Sequence, residues 1–279
     1  MWYLCNVLQC KFDVSQCIDT FSLTYFLPLL RDLNPMPSRR HLIACILTLL
    51  LNQLIDPSAF ADAPNEAKWD SRQLEGWQLY ISKRFDPATQ PAIEQAVDLL
   101  RIQLREVKKV VPPSALKELL KVSLYFSPEY PGFGPQAEYH PGAGWLKDQG
   151  RDPVMEKGIE FTNIEIFAEE TKRMPNFALH ELAHAFHDQV HGFNNRQIEN
   201  TFQRAKASGT YDRVQRQDSA GNLSWDKAYA ITNASEYFAE TSEAFFSRND
   251  FFPFHREELK THDPQMEQLL EKLWNLDSP

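Results

Sequence analysis

Pro175-Asn176-Phe177-Ala178-Leu179-His180-Glu181-Leu182-Ala183-His184-Ala185-Phe186-His187-Asp188-Gln189-Val190-His191-Gly192 places apolar residues at helical spacing around two histidines four residues apart. Ala178, Leu182, Ala185 and Phe186 supply one buried face of a helix running to about residue 190. Pro175 suits the first turn and Gly192 the stop. Within this helix, His180-Glu181-Leu182-Ala183-His184 is an HExxH pattern. Residues four apart on a helix share a face, so both imidazoles can reach one tetrahedral metal while Glu181 stands beside them, next to the bound water. Zinc is the expected ion.

Two protein ligands leave a catalytic zinc short of one, since such sites use three and keep the fourth position for water. The extended form HExxHxxGxxH is absent: His187 stands where it needs Gly and Val190 where it needs His. His187 and His191 continue the His180 face, but each residue adds about 1.5 Å along the axis, which carries both beyond easy reach of the same ion. The third ligand is therefore sought downstream in residues 233–246, a predicted helix. There Glu236, Glu240 and Glu243 fall on one face, an arrangement that calls for a cation to meet them.

Tyr229-x-x-x-Asn233-x-x-Glu236-x-Phe238-Ala239-Glu240, about fifty residues after the HELAH pentad, resembles the catalytic domain of anthrax lethal factor and its metallopeptidase relatives. The Glu-Tyr-Phe-Ala segment is also similar to the Mlc titration factor peptidases. The likeness covers roughly residues 159–246; the partner-binding domains of lethal factor have no counterpart. It implies a gluzincin-type, zincin-like α+β domain, with a small sheet packed on the HExxH helix and a mainly helical C-terminal part. It further implies Glu236 as third ligand, Glu240 as support behind the ligands, and Tyr229 as a phenol stabilising the oxyanion. In such peptidases an edge strand before the metal helix pairs with an extended substrate, a role residues 159–167 are expected to fill.

Outward from this centre, residues 76–85 alternate apolar and polar and read as a strand. Pro87 and Pro91 open a long helix whose Ile93, Val97, Leu100, Leu104, Val107 and Val111 form one stripe, stopped by Pro112-Pro113. A short helix over 114–121 leads to a second strand over 122–126, then a Pro-, Gly- and aromatic-rich loop over 127–145. The β-favouring set Ile159, Phe161, Thr162, Ile164, Ile166 and Phe167 predicts a third strand over 159–167. A polar helix near 197–207 and an irregular stretch around Gly209, Gly221 and Asn222 follow. After the 233–246 helix come the aromatics Phe251, Phe252 and Phe254, read as core packing, and a last helix after Asp263-Pro264 with Met266, Leu269, Leu270, Leu273 and Trp274 on one stripe. Strands early and helices late give the class α+β.

With a net charge of −9 and no basic patch or phosphate loop, nucleic acid is not an expected partner. Residues 36–61 have the three parts of a secretory signal: basic Arg39-Arg40, an apolar run from Leu42 to Ile55, and Ala59-Phe60-Ala61 before the cut. The run is about 14 residues where a bilayer span needs roughly 20, so no stable membrane insertion is expected. Cys45 follows Arg40 too closely for lipidation. On this reading residues 1–35 are a non-native upstream extension with Met36 as true start, and 62–279 is one secreted or periplasmic metallopeptidase domain. All four cysteines precede residue 62, which leaves that domain no disulfide and no thiolate ligand or nucleophile. The expected function is hydrolysis of a peptide or protein substrate by metal-activated water with Glu181 as base. The alternative is a zinc-containing, catalytically silent peptide-binding or regulatory module.

Overall fold

A computed structural model describes residues 67–275; the expected upstream extension over 1–35 and the expected signal sequence over 36–61 lie outside the described residues. Two antiparallel strands begin it, β1 (Trp69–Leu74) and β2 (Trp77–Ser82). The pattern predicts β2 but not β1, whose middle is polar and solvent-facing; the hairpin turn holds it in place. Glu75 and Gly76 both have positive φ, 54° and 106°, as the two-residue turns that match strand twist require. Arg105 and Lys108 bind the Glu75 carboxylate, and a Cβ on Gly76 would meet Leu120 Cδ2 at 3.0 Å.

The chain then crosses over through a 3-10 turn (Pro87–Thr89) and α1 (Gln90–Val110), with α2 (Pro113–Leu119) following, and returns as β3 (Leu124–Phe126) parallel to β2. The expected stripe from Ile93 to Val107 is buried throughout. The segment read as an open loop contains β4 (Ala137–Tyr139) and the start of α3 (Ala143–Asp148). β5 (Ile159–Phe161) is parallel to β3 and antiparallel to β4, so the sheet order is β1-β2-β3-β5-β4.

The strand expected over 159–167 is therefore only three residues long, and it is internal. Ile164–Ile166 form a 3-10 turn and α4 (Phe167–Arg173) starts at once. Phe161, Phe167 and Phe177 close on one another with ring centres 4.7–6.0 Å apart, and packing of these rings overrides the local β preference. With a neighbour on each side, β5 has no free edge for a peptide; that edge belongs to β4.

α5 (Phe177–Phe186) runs beneath the sheet with every residue buried. Its cap is Asn176, whose side chain accepts from the Leu179 amide, so Pro175 precedes the helix instead of opening it. Gln103 on α1 fixes the same end, accepting from the Ala178 amide and, through its carbonyl, from Asn176 Nδ2. The helix closes as a π-helical turn, His187–His191, before Gly192 at φ 74°.

The second half is helical apart from one hairpin in the stretch read as irregular. α6 (Arg196–Ser208) leads to β6 (Val214–Gln217) and β7 (Leu223–Asp226), then a 3-10 turn (Tyr229–Ile231) and α7 (Ala234–Phe246). α8 (Arg256–His262), which the pattern misses, and α9 (Pro264–Trp274) finish the chain. α7 packs directly on α5. Trp274 locks the pair from α9: its ring stacks on Phe186 of α5 at 4.1 Å and on Phe238 of α7 at 5.9 Å, and its Nε1 donates to Ser242 Oγ. The architecture is α+β, with a small sheet on one side of the central helix and helices on the other. No helix among the described residues is long and apolar enough to cross a membrane.

Candidate metal centre

α5 places His180 and His184 one turn apart, with their Nε2 atoms 3.2 Å from each other. α7 brings Glu236 to them because Asn233 caps that helix, accepting from the Ser235 and Glu236 amides, and so sets Glu236 in the first turn facing α5. Glu236 Oε2 lies 3.4 Å from His180 Nε2 and 3.3 Å from His184 Nε2. The three atoms form a nearly equilateral triangle. A tetrahedral ion with bonds of about 2.0–2.1 Å separates its ligand atoms by about 3.3–3.4 Å, so the triangle matches one face of a zinc coordination shell. Glu236 Oε2 is also buried without an aligned hydrogen bond, although both rings are close: the donor atoms converge on a common point more than on each other. The residues fit the ion.

The other ring nitrogens are held from behind. His184 Nδ1 meets Ser235 Oγ at 2.9 Å; His180 Nδ1 meets Glu243 Oε2 at 3.4 Å and Glu240 Oε1 at 3.6 Å. The carboxylates behind His180 favour a proton on its Nδ1, so that the neutral ring would offer Nε2 to an ion, and Ser235 Oγ accommodates the same tautomer of His184. Glu240 thus lies behind His180, and Glu243 lies slightly closer to the same nitrogen. Glu243 and Ser235 are the residues that sequence reasoning missed as supports. Glu243 lay on the noted face, and Ser235 neighbours Glu236, but nothing in the sequence tells which carboxylate meets Nδ1. Asn249 Nδ2 donates to the other Glu240 oxygen.

Burial works against charge on His180, yet Glu236 and Glu243, aided by Glu181 and Glu240, hold it well above the usual imidazole value. Burial would raise Glu236, but the two imidazoles outweigh it and keep the carboxyl far below the ordinary range. Burial also pushes Glu240 and Glu243 upward, against the opposing pull of His180. Because outer-shell contacts of this kind commonly carry about 10–100-fold of metal affinity, Glu243→Gln is expected to weaken zinc binding by about 10-fold. The lower figure applies because the amide still accepts from Nδ1; competition with a chromogenic chelator measures it.

Glu181 is not in the triangle. Its Oε2 accepts the Tyr139 amide of β4 at 2.8 Å, which ties the carboxylate to the sheet edge. Tyr139 is itself anchored, its hydroxyl donating to Asp188 Oδ2 at 2.6 Å. The His140 amide donates to the Gly158 carbonyl and the Thr162 amide to the Gln136 carbonyl, just beyond the ends of the β4–β5 pair, so by alternation Ala137 and Tyr139 turn their amides outward. Tyr229 is half exposed, at 49%, and lines an open cavity of about 240 Å³ together with Arg173, Met174, His180, Arg216, Glu240, Asp250 and Phe251. Burial, with Glu236 next, raises its phenol above the usual value, so it stays a proton donor at neutral pH.

The remaining histidines lie elsewhere. His187 is buried against Phe193 and Phe238, and His191 Nε2 donates to the Leu273 carbonyl. His140 is buried on Trp145 and bonded to Glu160.

An α+β domain in which a HExxH helix is met by a glutamate from a later helix has the zincin-like arrangement. Residues 152–273 match the family model described as anthrax toxin lethal factor, N- and C-terminal domain, which supports a lethal-factor-like relationship for the segment holding α5 and α7. The likeness to the Mlc titration factor peptidases rests on the Glu-Tyr-Phe-Ala segment alone. Neither the curated proteins nor the solved structures yield a match.

Proposed function

We propose that this chain is an extracytoplasmic zinc peptidase of the gluzincin type, with His180, His184 and Glu236 holding the ion and Glu181 as general base. The observation that carries the reading is the triangle of His180 Nε2, His184 Nε2 and Glu236 Oε2, with edges of 3.2–3.4 Å. When bound, zinc supplies Lewis acidity and lowers the pKa of water toward about 7.

The chain's own groups supply the rest. An extended substrate adds to the outer edge of β4, where the Ala137 amide and carbonyl face outward. Glu181, aimed by the Tyr139 amide, takes a proton from the attacking water and passes it to the leaving amine. The Tyr229 hydroxyl donates to the negative charge that builds on the carbonyl oxygen. Tyr229→Phe is expected to lower kcat by about 100-fold with little change in KM, as for a donor engaged only in the transition state. Steady-state kinetics on one cleaved peptide checks it.

The experiment that tests the function is incubation of the purified, zinc-loaded chain with an unbiased peptide library. Cleavage abolished by a chelator and restored by zinc supports the peptidase. One bound zinc per chain without any cleavage favours the silent binding module.

A further inference from the structure

The cavity beside His180 has one wall that the reaction does not use. Arg173 reaches it from the end of α4 and Arg216 from β6; both meet the same oxygen, Asp250 Oδ2, at 2.7 and 3.2 Å. Asp250 is only 2% exposed on its side chain, a fixed anchor for both. Arg173 is used up, since its other Nη pairs with Glu170 at 2.5 Å. Arg216 is not. It binds Asp250 through Nε, its guanidinium carbon sits 4.7 Å over the Phe251 ring, and among the described residues neither Nη has a hydrogen-bond partner. Its side chain is 39% exposed. The result is a guanidinium fixed at Nε, stacked on an aromatic face and left with both Nη groups unpaired among the described residues, in the lining of a cavity also walled by Met174, Phe251 and Tyr229.

Forks of this shape match a carboxylate, and the apolar walls suit the methylenes that carry one. The acidic groups nearby do not cancel it. Asp250 pairs with two guanidiniums, and Glu240, at 2% exposure, is engaged away from the fork, one oxygen accepting from Asn249 Nδ2 and the other 3.6 Å from His180 Nδ1. We propose that this cavity is a substrate pocket next to the scissile bond that takes a peptide carboxylate, with Arg216 as the specificity-determining residue. The proposal rests on the peptidase reading for its neighbour, the scissile bond, but not for its ligand.

The test uses blocked peptides that differ at one position, Glu, Gln or Lys, and a further set with a free C-terminus in place of the Glu. Fluorescence anisotropy with the zinc-loaded Glu181→Gln chain reads binding apart from turnover; kcat/KM with the native chain reads specificity. The Glu peptide is expected to bind about 10-fold tighter than its Gln twin, a modest figure because the fork is partly solvated. Adding Arg216→Gln removes that preference and leaves the Gln peptide unchanged. Arg216→Lys, which keeps the charge without the fork, retains part of it. A gain only from the free C-terminus assigns the same pocket to a terminal carboxylate. Equal affinity for Glu and Gln peptides with no gain from a free C-terminus, a preference for Lys, or a Glu preference that survives Arg216→Gln would each overturn the proposal. Failure of the peptidase reading shows up separately, as binding discrimination without cleavage by the native chain.

Discussion

Glu181→Gln is expected to lower kcat by about 10²–10⁴-fold while the chain keeps its zinc. The substitution is nearly isosteric, and its amide oxygen can still accept from the Tyr139 amide, so the link between α5 and β4 survives. The triangle of donor atoms does not include Glu181 and has no reason to open. What the amide cannot do is take up a proton. Metal content by elemental analysis and kcat on a cleaved peptide form the check. An activity within about 10-fold of the native chain, or a loss of zinc along with activity, would assign Glu181 some other role.

Glu236→Gln should do the reverse, removing the metal first and activity only as a consequence. Loss of a charged ligand is expected to weaken zinc by more than the 10–100-fold typical of an outer contact. The stability readout is independent of turnover. Free zinc at about 1,000 times its Kd stabilises a native site by about 4 kcal/mol, and for a domain of this size each kcal/mol moves Tm by roughly 2–4 °C. The native chain should therefore melt about 8–16 °C higher with zinc, and Glu236→Gln, weakened by about 100-fold or more, should keep no more than about 1.4 kcal/mol of that gain, a rise of about 3–6 °C or less at the same concentration. An equal rise in both would place the third ligand elsewhere; Glu240 and Glu243 on the same helix are then the groups to examine.

The long helices with a buried stripe were legible; the short α3, α4 and α8, six or seven residues each with a single buried residue apiece, were not. The stripes on α1 and α9 and the Gly192 stop follow from a 3.6-residue period and helix-ending chemistry, both local. The strands were less so. β1 is polar in its middle, β4 is three residues within a Pro- and Gly-rich run, and both exist because a neighbouring strand pairs with them. The over-long strand at 159–167 failed for a related reason: Phe161, Phe167 and Phe177 turn the backbone toward a shared cluster, which composition does not record.

By itself the sequence determined that His180 and His184 share a helix face with Glu181 next to them, because helical periodicity is an intrachain property that needs no partner. Only the tertiary structure decided that Glu236 closes a triangle with them, that Glu243 and Ser235 brace the rings, that the sheet edge beside Glu181 is β4, and that Arg216 reaches the neighbouring cavity. Those are contacts between elements far apart in the chain. Packing of α7 and Trp274 against α5, not any local preference, sets their distances.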